Sequence, residues 1–294
     1  MAVSMRKQIA QNKRNTIVIM MVFVAMITLI GWLFAWLCNN PTLLIVAIII
    51  SLGYALFQYF FADKIAIRAA GAKQIERSDN ERYYRAVEHL VLDANIPLPK
   101  IYLINDDAPN AFATGRDPNH ACIAVTTGLL EVMDDNELRA VIGHELSHIK
   151  NYDIRVSMIV FGLVALVGFM SDFGLRVLFY SDRKEEDNSP VGALIALIVL
   201  ILSPIVATIV QMSISRQREY LADASSATLI GNADDMIAAL RKLDTHTRPM
   251  HQQNVATEAM YISNPLRKST ISKLFSTHPP IESRIERLEN AKKQ

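Results

Sequence analysis

The sequence predicts a mostly helical, multi-pass membrane part joined to a soluble α+β part with a small β-sheet. Three observations carry this. The apolar residues, 51% of the chain, are gathered into long blocks, as in a membrane protein with a soluble portion. Short strand candidates bounded by turn residues lie between the second and third blocks. Beside them runs a helical pattern that contains two histidines four residues apart, His144 and His148.

The first block runs from Thr16 to Leu37 and is preceded by Arg6, Lys7, Lys13 and Arg14. Its length suffices to cross a hydrocarbon core of about 30 Å as a helix. A cleaved signal peptide, the competing reading, would carry an apolar region of only about 7–15 residues. Here a second block, Thr42 to Ala62, follows directly after Cys38-Asn39-Asn40-Pro41, so the two read as spans joined by a tight turn. Asp63, Lys64, Arg68, Lys73 and Arg77 come next. Basic residues thus flank both outer ends of the hairpin and none sits in its turn, which places the N-terminus and the following soluble part in the cytoplasm.

Asn80 to Ala94 has helical periodicity and ends before Pro97 and Pro99. Lys100–Asn105, Asn110–Gly115 and Ala121–Thr126 are strand candidates, the last two separated by a turn through Asp117-Pro118-Asn119. Asp134, with Glu137 three residues later, opens the histidine-bearing helix with a capping-box pattern. Ala140, Val141, Leu146 and Ile149 are its apolar anchors. His89 and His120 read as a surface helix residue and a solvated turn residue.

A third block, Val156 to Tyr180, is interrupted by Asp172 and Arg176; a fourth, Val191 to Ile214, contains Pro204. Two further spans are the favoured reading, with buried helices or a partly inserted hairpin as alternatives. Arg216 and Arg218 mark a return to the cytoplasm. A helix from about Asn232 to Leu243 follows, then a polar segment from Asp244 to Asn264 with few anchors, in which His246 and His251 read as loop histidines. A last amphipathic helix starts after His278-Pro279-Pro280. The expected organisation is therefore a cytoplasmic N-terminus (1–15), a transmembrane hairpin (16–62), a first catalytic part (63–155), a second apolar hairpin (156–214) and a second catalytic part (215–294).

A net charge of only +1 points to no nucleic acid or other polyanion, and two distant cysteines, Cys38 and Cys122, build neither a disulfide framework nor a Cys-based metal motif. The chemistry lies in His144-Glu145-Leu146-Ser147-His148. On a helix both imidazoles leave one face, where they can hold one Zn²⁺, with Glu145 placed to act as general base on a metal-bound water. A catalytic zinc needs a third protein ligand and an open position. Glu219, in Arg218-Glu219-Tyr220-Leu221-Ala222-Asp223, could complete the set, and Asp223, one turn on, could fix the tautomer of a ligating histidine. Solvated charges balancing Arg216 and Arg218 are the alternative. Height favours the site: His148 sits about 12 Å and Glu219 about 8 Å from the apolar ends of their helices, at 1.5 Å per residue.

With these motifs in place, the chain resembles the HtpX-type membrane-bound zinc metalloproteases and, more widely, the gluzincin peptidases that include the CAAX prenyl-protease. The likeness spans nearly the whole length: the N-terminal hairpin, H-E-L-S-H at His144–His148, a later apolar pair, E-Y-L-A-D at Glu219–Asp223, and H-P-P at His278–Pro280. It implies a gluzincin-type fold, one zinc held by His144, His148 and Glu219, Glu145 as general base and acid, and Asp223 in support. It also implies that His278 stabilises an oxyanion and that Asn110, Ala111, Phe112, Ala113 and Thr114 form a strand beside the cleft that pairs with an extended substrate. The expected substrates are damaged or misassembled membrane proteins, cleaved at the cytoplasmic face of a bacterial-type inner membrane in protein quality control and the stress response. The alternative is a non-proteolytic membrane protein using zinc structurally or transporting metal. Transport would place ionisable ligands inside the spans, whereas these histidines lie in a polar-flanked helix outside them. Processing of lipidated C-termini ranks lower, because about four spans leave no room for a large membrane chamber.

Overall fold

The computed structural model describes residues 2–37, 39–163, 216–251, 260–263 and 279–292. Two long helices, α1 (Ala2–Leu37) and α2 (Thr42–Ala69), form the N-terminal hairpin. The turn is closed by the Asn40 N–H donating to Ala35 O (2.9 Å), while the Asn40 side chain accepts from Thr42 N (3.1 Å). Gly31 lets the helices close up, since a Cβ there would lie 2.2 Å from that of Ala47. Both helices contain stretches long and apolar enough to cross a membrane. Their apolar side chains, among them Ile17, Met21, Trp36, Ile49 and Ile50, point outward, with Trp36 69% exposed. That outward face distinguishes them from the core helices of a soluble protein. Each helix outruns the span expected for it, α1 beginning well before Thr16 and α2 continuing to Ala69 past Asp63, Lys64 and Arg68.

The soluble part is mostly helical around a four-stranded mixed sheet. Its strands are β1 (Lys73–Gln74), β2 (Lys100–Ile104), β3 (Ala111–Gly115) and β4 (Ala121–Thr126), in spatial order β1-β2-β4-β3. β2 and β4 pair in parallel, Ile101 opposite Ile123, while β1–β2 and β3–β4 are antiparallel. The two-residue β1 carries no sequence signal of its own. Helix α3 (Glu81–Ala94) starts at Asn80, whose side chain accepts from Tyr83 N, and ends at Asn95 in the left-handed region (φ 52°). A short α4 (Thr127–Val132), also not expected, follows β4.

Helix α5 (Asp135–Lys150) begins with the capping box: Asp134 accepts from Glu137 N, and Glu137 accepts from Asp134 N. It runs through the interior, with Leu138, Val141, Ile142, Leu146 and Ile149 all buried in one core with α3, β4 and residues Met236, Ile237 and Leu240. After a turn at Asn151–Tyr152 the backbone is again helical over residues 153–163. The remainder of the third and all of the fourth apolar block, with Asp172 and Arg176, lie outside the described residues. Helices α6 (Arg216–Ile230), α7 (Ala233–Thr245, with Asn232 as N-cap) and α8 (Ile281–Lys292) complete the elements described.

β3 and β4 are buried along their whole length, which explains why they lack strict polar–apolar alternation. One face meets α5; the other carries Phe112, Cys122 and Ala124 into a second cluster with Ala66, Ile67 and Ala70 at the end of α2 and with Phe161, Met250 and Tyr261. This second core fixes the sheet against the C-terminal end of α2. It also corrects the reading of residues 244–264 as weakly anchored, because Met250, Tyr261 and Ile262 are buried.

Candidate metal centre

Helix α6 lies against α5 because small groups face one another at the crossing. A Cβ on Gly143 would fall 2.8 Å from Ser226 Oγ, and that hydroxyl donates to Ala140 O (2.6 Å). The buried residues of α6 are Glu219, Ala222, Asp223 and Ser226, spaced along a single face. The Gly143–Ser226 contact therefore sets Asp223 and then Glu219, one and two turns earlier, beside His144 and His148.

His144 Nε2 lies 3.1 Å from His148 Nε2 and 3.6 Å from Glu219 Oε2; His148 Nε2 lies 3.6 Å from Glu219 Oε1. Two ligand atoms at about 2.05 Å from a tetrahedral zinc are separated by roughly 3.4 Å, so the spacing fits one ion. The outer ring nitrogens are also committed. His144 Nδ1 is 2.9 Å from Asp223 Oδ1, and His148 Nδ1 is 2.9 Å from Asp153 Oδ2. With both Nδ1–H groups donated to carboxylates, both Nε2 atoms present lone pairs, and a carboxylate faces them. Three converging acceptors repel unless a cation or a proton lies between them.

The surroundings are buried and charged. Arg284 on α8, fully buried, donates from Nε to Asp223 Oδ2 (2.9 Å) and from Nη2 to Asp223 Oδ1 (2.6 Å), a bidentate pair. Burial alone would raise the Asp223 pKa, but the charge and hydrogen bonds of Arg284, with the His144 contact, hold it below the usual carboxylate range. Burial would lower His144, yet hydrogen bonds to Asp223 and Glu219 lift it to about 9. Asp153 is likewise held low, its burial outweighed by His148, Arg218 and Gln8. Glu145 is 2% exposed, between the two histidines on α5, and adds to the field that raises Arg284 after Asp223 and Glu219.

Sequence reasoning did not find Asp153, Arg284 or Asn12. Asn12 Nδ2 donates to Asp153 Oδ1 (2.6 Å) and to Asn151 O (2.9 Å). None belongs to a motif, and Asp153 and Arg284 look like ordinary charged residues at a turn and on an amphipathic helix. A second grouping, Asp106, Asp107 and His251, also brings ligand-type atoms within 4.8 Å of one another. There Asp106 already accepts from Ala108 N and His251 N, and the other two side chains are exposed.

Residues 77–292 match peptidase family M48. The chain belongs to that family. As an M48 member it is a metallopeptidase with a cluster of residues able to hold a metal, and its two outward-facing apolar helices make it membrane-associated. The metal-transport and structural-zinc readings are thereby set aside. The chain is 46% identical over 280 residues to the protease HtpX homolog of Tropheryma whipplei (strain Twist), covering 95% of this chain and 96% of that one. It is 44% identical over 292 residues to the protease HtpX homolog of Streptococcus gordonii (strain Challis), covering 96% and 98%. Among solved structures, S. mikatae Ste24p superposes with a TM-score of 0.51 at 18% identity, covering 96% of this chain and 67% of that one, a likeness of fold.

Two expectations tied to the M48 cleft need qualification. His278 lies outside the described residues. The strand read as open to substrate is partly taken: Ile262 N donates to Ala111 O (2.9 Å), and Phe112 bridges to Tyr261 with their rings edge-to-face at 5.0 Å. Asn110 donates to Ser263 O (2.9 Å) and accepts from Ser263 N (3.2 Å). Residues 261–263 thus occupy the outer edge at Asn110–Phe112, an occupancy that strand periodicity alone does not register, and Ala113 and Thr114 are buried.

Proposed function

We propose that this chain is a multi-pass, zinc-dependent endopeptidase of a bacterial-type inner membrane, cleaving damaged or misassembled membrane proteins at the cytoplasmic face. The observation that carries the zinc site is the convergence of His144 Nε2, His148 Nε2 and Glu219, with both outer ring nitrogens held by carboxylates. In this reading those three residues hold one zinc, and Asp223 and Asp153 fix the imidazole tautomers. Zinc bound there would supply the Lewis acidity that polarises a scissile carbonyl and acidifies water. Glu145, between the ligands, takes the proton of the attacking water and hands it to the leaving amine nitrogen. His278 donates to the oxygen of the tetrahedral intermediate. For Asn110–Thr114 to receive an extended substrate by strand addition, Tyr261 and Ile262 must first leave the edge of β3. Proline scanning of a good substrate around its scissile bond tests that pairing; unaltered cleavage at every position would count against it.

The membrane placement rests on basic residues at both ends of the N-terminal hairpin and on the second core that holds the sheet against α2. Oligomeric state does not enter the reading. The deciding experiment is Glu145→Gln in detergent-purified full-length protein. Zinc content should persist while peptide-bond cleavage falls by about 10²–10⁴-fold. A variant that cleaves as well as the parent sinks the assignment. For orientation, a substrate added to sealed vesicles should be cut by inside-out and spared by right-side-out preparations.

A further inference from the structure

Tyr152 has φ 61°, a left-handed conformation that bulky side chains rarely adopt. It sits in the two-residue turn between α5, which carries both histidines, and the helical stretch that starts at Asp153. The turn brings Asp153 Oδ2 back to 2.9 Å from His148 Nδ1. Part of what holds this conformation comes from α1, beside the α5 carbonyls that accept from Asn151 N and Tyr152 N, and beside Arg218, 3.8 Å from Asp153 Oδ1. Asn12, 2% exposed, uses one amide nitrogen to donate both to the carbonyl that begins the turn, Asn151 O, and to Asp153 Oδ1 at its end. One residue on, Lys13 Nζ stands 4.4 Å over the Tyr152 ring, whose contacts also include Arg155. Gln8, one turn earlier, donates to the same Asp153 oxygen at 3.3 Å.

We propose that Asn12 is a positioning residue of the metal centre: by clamping the strained Asn151–Tyr152–Asp153 turn, the N-terminal helix aims Asp153 at His148 and so sets the metal affinity of the site. This rests on His148 being a zinc ligand. A residue ahead of the first apolar block, whose amide reaches Asn151 and Asp153 rather than a ligand histidine, thereby becomes part of the machinery. The first membrane helix and the metal-binding helix act as one mechanical unit. Strain of this kind persists only where surrounding contacts over-determine it, and here two neighbouring α1 residues are among those that supply them.

The test is zinc affinity of purified full-length protein, measured by competition with a chromophoric chelator, for the parent, Asn12→Ala, Thr16→Val and His148→Ala. Thr16 is also buried on α1, but its hydroxyl bonds back to Asn12 O along its own helix, so it controls for packing of that helix. Asn12→Ala should bind zinc about 10-fold more weakly, the low end of the range for losing a group behind a ligating histidine, because Asp153 itself remains. Its cobalt-substituted form should show a shifted d–d spectrum, while Thr16→Val stays within about twofold of the parent. Zinc affinity of Asn12→Ala equal to the parent's, or an equal loss in Thr16→Val, overturns the proposal. If His148→Ala binds as tightly as the parent, the ligand assignment itself has failed; if it loses zinc while Asn12→Ala does not, only the positioning role has. Should Asn12→Ala not fold, Lys13→Ala, at an exposed position, replaces it with the same expected direction, and parental affinity there overturns the proposal.

Discussion

Replacing Arg284 by Met would strand a carboxylate in the interior. Arg284 is fully buried, Asp223 is 1% exposed, and two hydrogen bonds of 2.9 and 2.6 Å join them. Met matches the aliphatic length of the side chain, so packing largely survives and the charge does not. Removing one partner of a buried, hydrogen-bonded ion pair costs about 3–5 kcal/mol, because Asp223 loses its guanidinium with no water to replace it and only the His144 ring remains beside it. For a chain of this size each kcal/mol lowers Tm by roughly 2–4 °C, so a fall of about 6–20 °C is expected. The assay is differential scanning fluorimetry of metal-free protein in detergent at one fixed scan rate. Asp223→Asn combined with Arg284→Met should recover part of the loss, since it removes the stranded charge; the double-mutant cycle isolates the pair. A Tm within about 2 °C of the parent for Arg284→Met would refute the reasoning. The same pair fixes a pH effect. The Asp223 pKa lies below its unfolded value near 3.8, so its contribution is complete above that pH and is lost as pH falls through the lower folded value.

Gly143→Ala should cost about 1–3 kcal/mol by forcing α5 and α6 apart, seen as a lower Tm and weaker zinc binding, because Glu219 moves with α6. Parental values for both would contradict the packing argument. In the metal-free protein His144, with a pKa of about 9, carries a proton at pH 7.5, so zinc binding there should release on the order of one proton from it. Calorimetry in buffers of different ionisation enthalpy measures that number, and no release would exclude His144 as a protonated, displaceable site. The Cys122 thiol, raised to about 12 by burial and by nearby Asp63, should resist maleimide at pH 8 in a Cys38→Ser background until the protein is denatured. Rapid labelling of the folded protein would show that the second core is open.

The parts of this protein that were legible in the sequence are those whose signals are local. Asn80, Asp134 and Asn232 announce helix starts because each caps with its own side chain within three residues. His144 and His148 point to one ion because helical spacing alone puts them on one face. What stayed hidden depends on distant partners. Arg284 lies 61 residues from Asp223, and on its amphipathic helix it reads as a solvent-facing cation. Asp153 reaches His148 only through a turn at Tyr152 that no side-chain preference there suggests. Tyr261 and Ile262 carry neither helix nor strand periodicity, since they pair as isolated residues on an edge already formed.

The Asp223–Arg284 pair also orders events in time. Translation delivers His144, His148, Asp153, Glu219 and Asp223 before α8 exists, and Arg284 follows Asp223 by 61 residues. Until then the Asp223 carboxylate has no guanidinium to accompany it into the interior, and closing α6 against α5 would bury it with only the His144 ring beside it. The nascent chain is therefore biased against assembling this centre, and that bias lifts only once Arg284 has been made and α8 can pack.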